Sequence, residues 1–140
     1  MTIEEYLGKP YWVIDMLPKQ VPADSKGQYF EIEKYYREHP QIDNIYSKFT
    51  NILLKLNCYE DIDVSHDGDE WITNPAPHEL KAALLKCMAD KQMLYIILKS
   101  ADVLITVSSD DTYMTVYNPT EEVLELIGSL AGSEGLFLWR

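Results

Sequence analysis

Six acids, Glu60, Asp61, Asp63, Asp67, Asp69 and Glu70, follow one another between Cys58 and Ile72 with no Lys or Arg among them. Hard cations such as Ca2+ need several oxygens within a few residues and a glycine for the bend, and Asp63, Ser65, Asp67 and Gly68 stand at the first, third, fifth and sixth places of a calcium loop. The last place falls on Asn74 where a bidentate Glu belongs, Glu70 occupies an apolar place, and the flanks alternate like strands. Asp61, Asp63, Asp67, Asp69 and Glu70 are therefore candidate divalent-cation ligands, set against the favoured reading of a solvated hairpin whose Asp-Gly turn serves backbone geometry.

Asp15 interrupts the apolar run Val13-Ile14-Asp15-Met16-Leu17. Desolvated there, a carboxyl would have a raised pKa and could act as an acid or base in a pocket. Alternation offers the simpler reading: Trp12, Ile14 and Met16 share one face, Tyr11, Val13 and Asp15 the other, and Asp15 is expected to be wet. The three histidines, His39, His66 and His78, match no zinc spacing and are expected in surface or structural roles. No phosphate loop, HExxH, CxxC or GxSxG occurs, so no catalytic residue and no cofactor is expected.

Aromatic residues give the more informative pattern. Ten tyrosines, three tryptophans and three phenylalanines form a reservoir of the side chains that anchor protein interfaces, large in area and poor in rotors. Tyr113 and Tyr117 fall on one face of a strand beside the acidic turn Asp110-Asp111, and Trp139 ends a short terminal strand. Asp110, Asp111, Tyr113, Tyr117 and Trp139 are the candidate partner-binding residues.

Charge narrows the partner. With 23 acids against 12 Lys and Arg, the formal net charge is -11, and a polyanion would be repelled rather than drawn in. Nucleic acid and an anionic membrane surface are excluded on that ground. The excess is uneven, since residues 1–57 hold eight acids and seven bases, and residues 58–140 hold fifteen and five. The acidic start lacks the basic and apolar stretches of a secretory signal, no apolar run reaches the length of a membrane span, and Cys58 and Cys87 read as small buried thiols. A cytoplasmic protein is expected.

These residues need elements to position them. At 140 residues, with 46% hydrophobic and 25% charged, the chain (1–140) fits one domain. Thr2 with Glu5 caps a short helical turn, and Tyr11 to Leu17 reads as a strand. Ser25 with Gln28 has capping-box spacing ahead of a helix over 28–38. Pro40 fits the first turn of the next helix, whose stripe is Ile42, Ile45, Tyr46, Phe49, Ile52, Leu53 and Leu56. A hairpin with Asp67-Gly68 as its turn sets Val64 opposite Trp71. Leu80, Leu84, Cys87 and Met88 mark a helix after Pro77, and Met93 to Leu98 a central strand. With Asp110-Asp111 as a turn, Val107 pairs with Met114, Ile105 with Val116, Thr106 with Thr115 and Leu104 with Tyr117, leaving one aliphatic and one mixed face. Asn118 caps the last helix, which Gly132 closes, and Gly135 to Trp139 forms the last strand. The order implies an α+β fold: a mainly antiparallel sheet of about six or seven strands packed by about four helices.

The segments EYLGKPYWVIDMLPKQVP at 5–22, DDTYMTVYNP at 110–119 and GSEGLFLW at 132–139 resemble an uncharacterised family of small acidic bacterial proteins. That family carries no assigned activity, so the resemblance implies a bacterial single-domain protein and transfers no site residue. The function expected from the residues is a small acidic protein-binding module, of the immunity, inhibitor or adaptor kind, that docks a basic protein surface. Its alternatives are divalent-cation binding at the 60–70 hairpin and a small-molecule binder or enzyme with a pocket near Asp15.

Overall fold

The computed structural model describes residues 1–24 and 27–140, so the capping pair expected at Ser25 and Gln28 lies partly outside the described residues. In chain order the elements are α1 (Ile3–Leu7), β1 (Tyr11–Asp15), α2 (Gln28–Glu38), α3 (Ile45–Leu56), β2 (Ile62–Ser65), β3 (Ile72–Thr73), α4 (Pro77–Ala89), β4 (Met93–Leu98), β5 (Val103–Ser108), β6 (Tyr113–Tyr117), α5 (Glu121–Ser133) and β7 (Phe137–Trp139). The strands form one antiparallel sheet in the order β3-β2-β4-β5-β6-β1-β7, the α+β architecture that the sequence implies.

Two-residue alternation divides this sheet into unlike faces. Ile62, Val64, Leu94, Ile96, Leu98, Val103, Ile105, Val107, Met114, Val116 and Ile14 point to one side, and all of them are buried in a single cluster with α3, α4 and α5. The stripe of α3 makes the centre of that cluster: Phe49, Ile52, Leu53 and Leu56 are fully buried, each contributing about 1.5 to 3 kcal/mol before entropy. The β5–β6 register is the one expected, Leu104 opposite Tyr117 through Val107 opposite Met114.

Four local expectations are corrected. α3 starts at Ile45, capped by Asn44 accepting the Ser47 N–H at 3.0 Å; the chain from His39 to Ile42 is a turn instead, and Ile42 is exposed. The β2–β3 hairpin pairs Val64 with Ile72, not Trp71, because Asp67 and Ser65 build a longer loop of their own. There Asp67 Oδ1 accepts the N–H groups of Asp69 and Glu70 at 2.8 and 2.9 Å, and Ser65 Oγ accepts that of Gly68 at 2.8 Å. Thr120, not Asn118, caps α5, and the helix runs through Gly132 to Ser133 before Gly135 turns the chain at a φ of 73°. Cys87 is buried as expected, but Cys58 sits just past α3 and is exposed.

Candidate functional site

The other face of the sheet carries the mixed residues Tyr11, Val13 and Asp15 on β1, Tyr113, Thr115 and Tyr117 on β6, and Trp139 on β7. Among the described residues α3, α4 and α5 pack on the opposite side of the sheet and not against this floor. On one side α1 closes over β5, held by the Tyr6 hydroxyl donating to Asp102; burial first, and then this bond, push the phenol up to about 12. On the other side stand Gln20, Val21 and the start of α2 with Tyr29 and Phe30. Between these walls lies a groove of about 930 Å3, open along its length.

α2 is an unusual wall. Phe30, Ile32 and Tyr35 are exposed, and its one buried residue is Glu33. The carboxylate is held by donors rather than by a cation: Glu33 Oε2 accepts from the Thr112 N–H at 3.2 Å, Thr112 Oγ1 at 3.1 Å and Tyr29 Oη at 3.1 Å. This clasp joins α2 to the start of β6, and from the helix-covered side the Tyr46 hydroxyl donates to Asp111 O at 2.7 Å. The Asp110-Asp111 turn is thus pinned from both sides, which fixes Tyr113 at the groove's edge.

Asp15 lies at the same end, opposite Tyr113 across the β1–β6 ladder. The alternation that assigned its face is right, but the expectation of a wet side chain is not: Asp15 is 4% exposed. Chain that follows β1 and α2 shields it, and a pattern local to β1 carries no information about that cover. Burial pushes its carboxyl above the ordinary range, against the pull of the Leu17 and Met16 N–H groups and the Trp139 indole, and the Glu33 charge acts in the same direction as burial. Asp15 Oδ1 is buried with no hydrogen-bond partner among the described residues. Trp139 shields it further along β7, its indole N–H donating to Leu17 O at 3.0 Å. The turn acid Asp111 is shifted upward too, by burial first and then by Glu33 and Asp110, with Arg37 opposing.

Of the five residues expected to bind a partner, the structure brings Tyr113, Tyr117 and Trp139 into one groove, each half-buried with a face left open. Asp111 is half-buried at its end and Asp110 is exposed on the turn beyond it. Sequence reasoning missed Glu33, Tyr29 and Thr112, since the contact that matters spans 79 residues, and missed Tyr11, whose ring sits 5.8 Å from that of Tyr117. The one available signal was α2 itself, a helix whose apolar residues mark no continuous inward stripe.

The acids of the 60–70 hairpin are not gathered about a common point. Asp63 pairs with Lys99 at 3.3 Å, Asp67 is occupied by its own loop, and Asp61, Asp69 and Glu70 are exposed. Among the described residues no group of three or more His, Cys, Asp or Glu side chains is placed to hold a metal ion. Of the three histidines, His39 Nδ1 lies 2.7 Å from Tyr35 O and His66 Nδ1 3.1 Å from Met93 O, and His78 is exposed. No helix among the described residues is long and apolar enough to cross a membrane. No family model matches the chain, and neither a curated protein nor a solved structure does, so its likeness to others adds nothing to what the groove shows.

Proposed function

We propose that this protein is a small acidic binding module, without catalytic activity, whose groove receives part of a basic protein surface in the manner of an immunity, inhibitor or adaptor protein. The observation that carries the reading is the meeting of Tyr113, Tyr117 and Trp139 with a buried carboxyl, one of whose oxygens has no partner among the described residues, in one open groove. Half-exposed rings on a rigid sheet supply large contact area with little entropy to lose, and a net charge of -11 favours encounter with a basic partner while disfavouring nucleic acid. Two free thiols, one of them exposed, suit a reducing compartment, which we take to be the cytoplasm, and the bacterial likeness of three segments belongs to the same reading.

The test begins with a partner captured from the native host and purified. Tyr117→Ala and Trp139→Ala each weaken its binding by about tenfold or more, as centrally placed aromatic anchors do. Reversing Asp110 and Asp111 to Lys slows association and flattens its salt dependence. A partner whose affinity ignores all four side chains contradicts the reading.

A second reading is favoured by one observation, the volume of the groove, which falls within the range of about 300 to 1,000 Å3 usual for small-molecule sites. Native mass spectrometry of the protein isolated from its host separates the two, because a small ligand held there adds a discrete mass that Tyr117→Ala abolishes.

A further inference from the structure

The groove is electrically polar along its length. Its floor follows β1, on which Tyr11 and Asp15 are about 13 Å apart at ordinary strand rise. At one end Asp15 lines the groove, and behind the lining the Glu33 charge acts on it, both residues more than nine-tenths buried, with Asp111 on the far side of Glu33. Among the described residues neither Asp15 nor Glu33 takes part in an ion pair. At the Tyr11 end are the two basic side chains that line the groove among the described residues, Lys9 after α1 and Arg140 after Trp139. Because Val13 pairs with Trp139, Arg140 is level with Trp12, well short of Asp15.

Both buried acids have donors, three on Glu33 Oε2 and the Leu17, Met16 and Trp139 N–H groups about Asp15, yet Asp15 Oδ1 is left buried with no hydrogen-bond partner among the described residues. An unpaired buried oxygen is costly to leave so; Oδ1 itself has no exposed surface, and the groove that Asp15 lines is the side from which a donor reaches the carboxyl once the rings over it move aside. The rings of Tyr29, Tyr113 and Trp139 line the same stretch, and aromatic faces attract a cation that has shed its water.

Resting on the partner reading above, we infer that the Asp15 end is a subsite for one lysine or arginine side chain of the docked protein, its ammonium or guanidinium entering between these rings to donate to Asp15 Oδ1. Lys9 and Arg140 set the direction of docking, since they repel a second basic residue and favour an acidic or neutral one about four extended residues away. A uniformly basic segment fits less well than one basic residue followed by an acid.

The probes are single side-chain analogues: n-butylammonium, an alkylguanidinium, 1-butanol and butyrate, each titrated at constant ionic strength into the 15N-labelled protein. Expected is movement of the Trp139 indole N–H and the Tyr113 amide with either cation, little with butanol or butyrate, and a loss of about tenfold in cation affinity in Asp15→Asn. Tyr113→Leu, which keeps the strand and the charge, weakens the cations and leaves butanol unchanged. Equal binding of butanol, or of the cations to Asp15→Asn, overturns the inference. Cations that fail to bind while Tyr117→Ala still impairs the purified partner remove the subsite and leave the groove reading standing. Cations that bind while the partner ignores Tyr117 do the reverse.

Discussion

On the helix-covered side of the sheet the inward strand residues are aliphatic and sealed by α3, α4 and α5. On the opposite side the same strands present tyrosines, threonines, a tryptophan and an aspartate, under a five-residue helix and a second helix that buries one glutamate. The two sides divide the labour of the molecule. Stability is concentrated where burial is complete, and that surplus lets the other face keep a charged group desolvated and aromatic rings half-open, features that cost stability by themselves.

The largest predicted effect tests the first half of this contrast. Phe49→Ala empties a fully buried site and should cost about 3 to 5 kcal/mol in denaturant unfolding, while the fraction that remains folded binds groove ligands as before. Equal damage to groove binding in the folded fraction would mean that the two faces are not separable.

Glu33→Ala addresses the other side. Removing the acceptor of three hydrogen bonds should cost about 1 to 3 kcal/mol, and hydrogen exchange should show the loss chiefly in the amides of 28–38, with α3 and α5 still protected. Exchange that rises evenly over the whole chain contradicts the view of α2 as a wall held by one clasp.

The groove side and the acidic loop also differ in their response to pH. Asp15 and Asp111 hold protons in the folded state at pH values where the unfolded chain has released them, because burial raises their folded pKa. Their ionisation therefore lowers stability as pH rises from the unfolded value of about 3.9 through the folded values. Asp67 runs in the opposite sense: held down by the Glu70 and Asp69 N–H groups, it contributes stability above its unfolded pKa that is lost as pH falls through its folded one. Asp15→Asn should accordingly raise Tm at neutral pH, with the gain fading as the pH approaches the ordinary carboxyl range. A gain that persists undiminished at acid pH would show that charge is not its cause.

The smallest effect concerns the acidic loop. Gly68 has a φ of 83°, and an added Cβ would lie 2.7 Å from Ile3 Cδ1, so Gly68→Ala should lower stability by about 1 kcal/mol through the backbone, the half-exposed Ile3 tip giving way. Groove binding should be unaffected, since Asp67 and its neighbours take no part in it.

What the sequence could disclose follows the same division. The β5–β6 register was legible because aliphatic residues alternate on both strands, and a slip by one would turn Val107 and Met114 to the wrong face. The β2–β3 register was not, because β3 is two exposed residues long and the loop satisfies its own backbone through Ser65 and Asp67. Tyr113, Tyr117 and Trp139 could be named individually from alternation and strand ends, but their convergence depends on β1 lying between β6 and β7, a pairing that no local pattern encodes. The same non-local step buries Asp15 and brings Glu33 to Thr112.

The most direct measurement is the titration of the Asp15 carboxyl by 13C NMR, in the free protein and with the purified partner bound. A desolvated carboxyl facing a cation subsite should titrate above the ordinary aspartate value when free and move down when the partner's basic side chain arrives. A midpoint at or below the ordinary value in the free protein, unmoved by a partner that Tyr117→Ala weakens, would contradict the account.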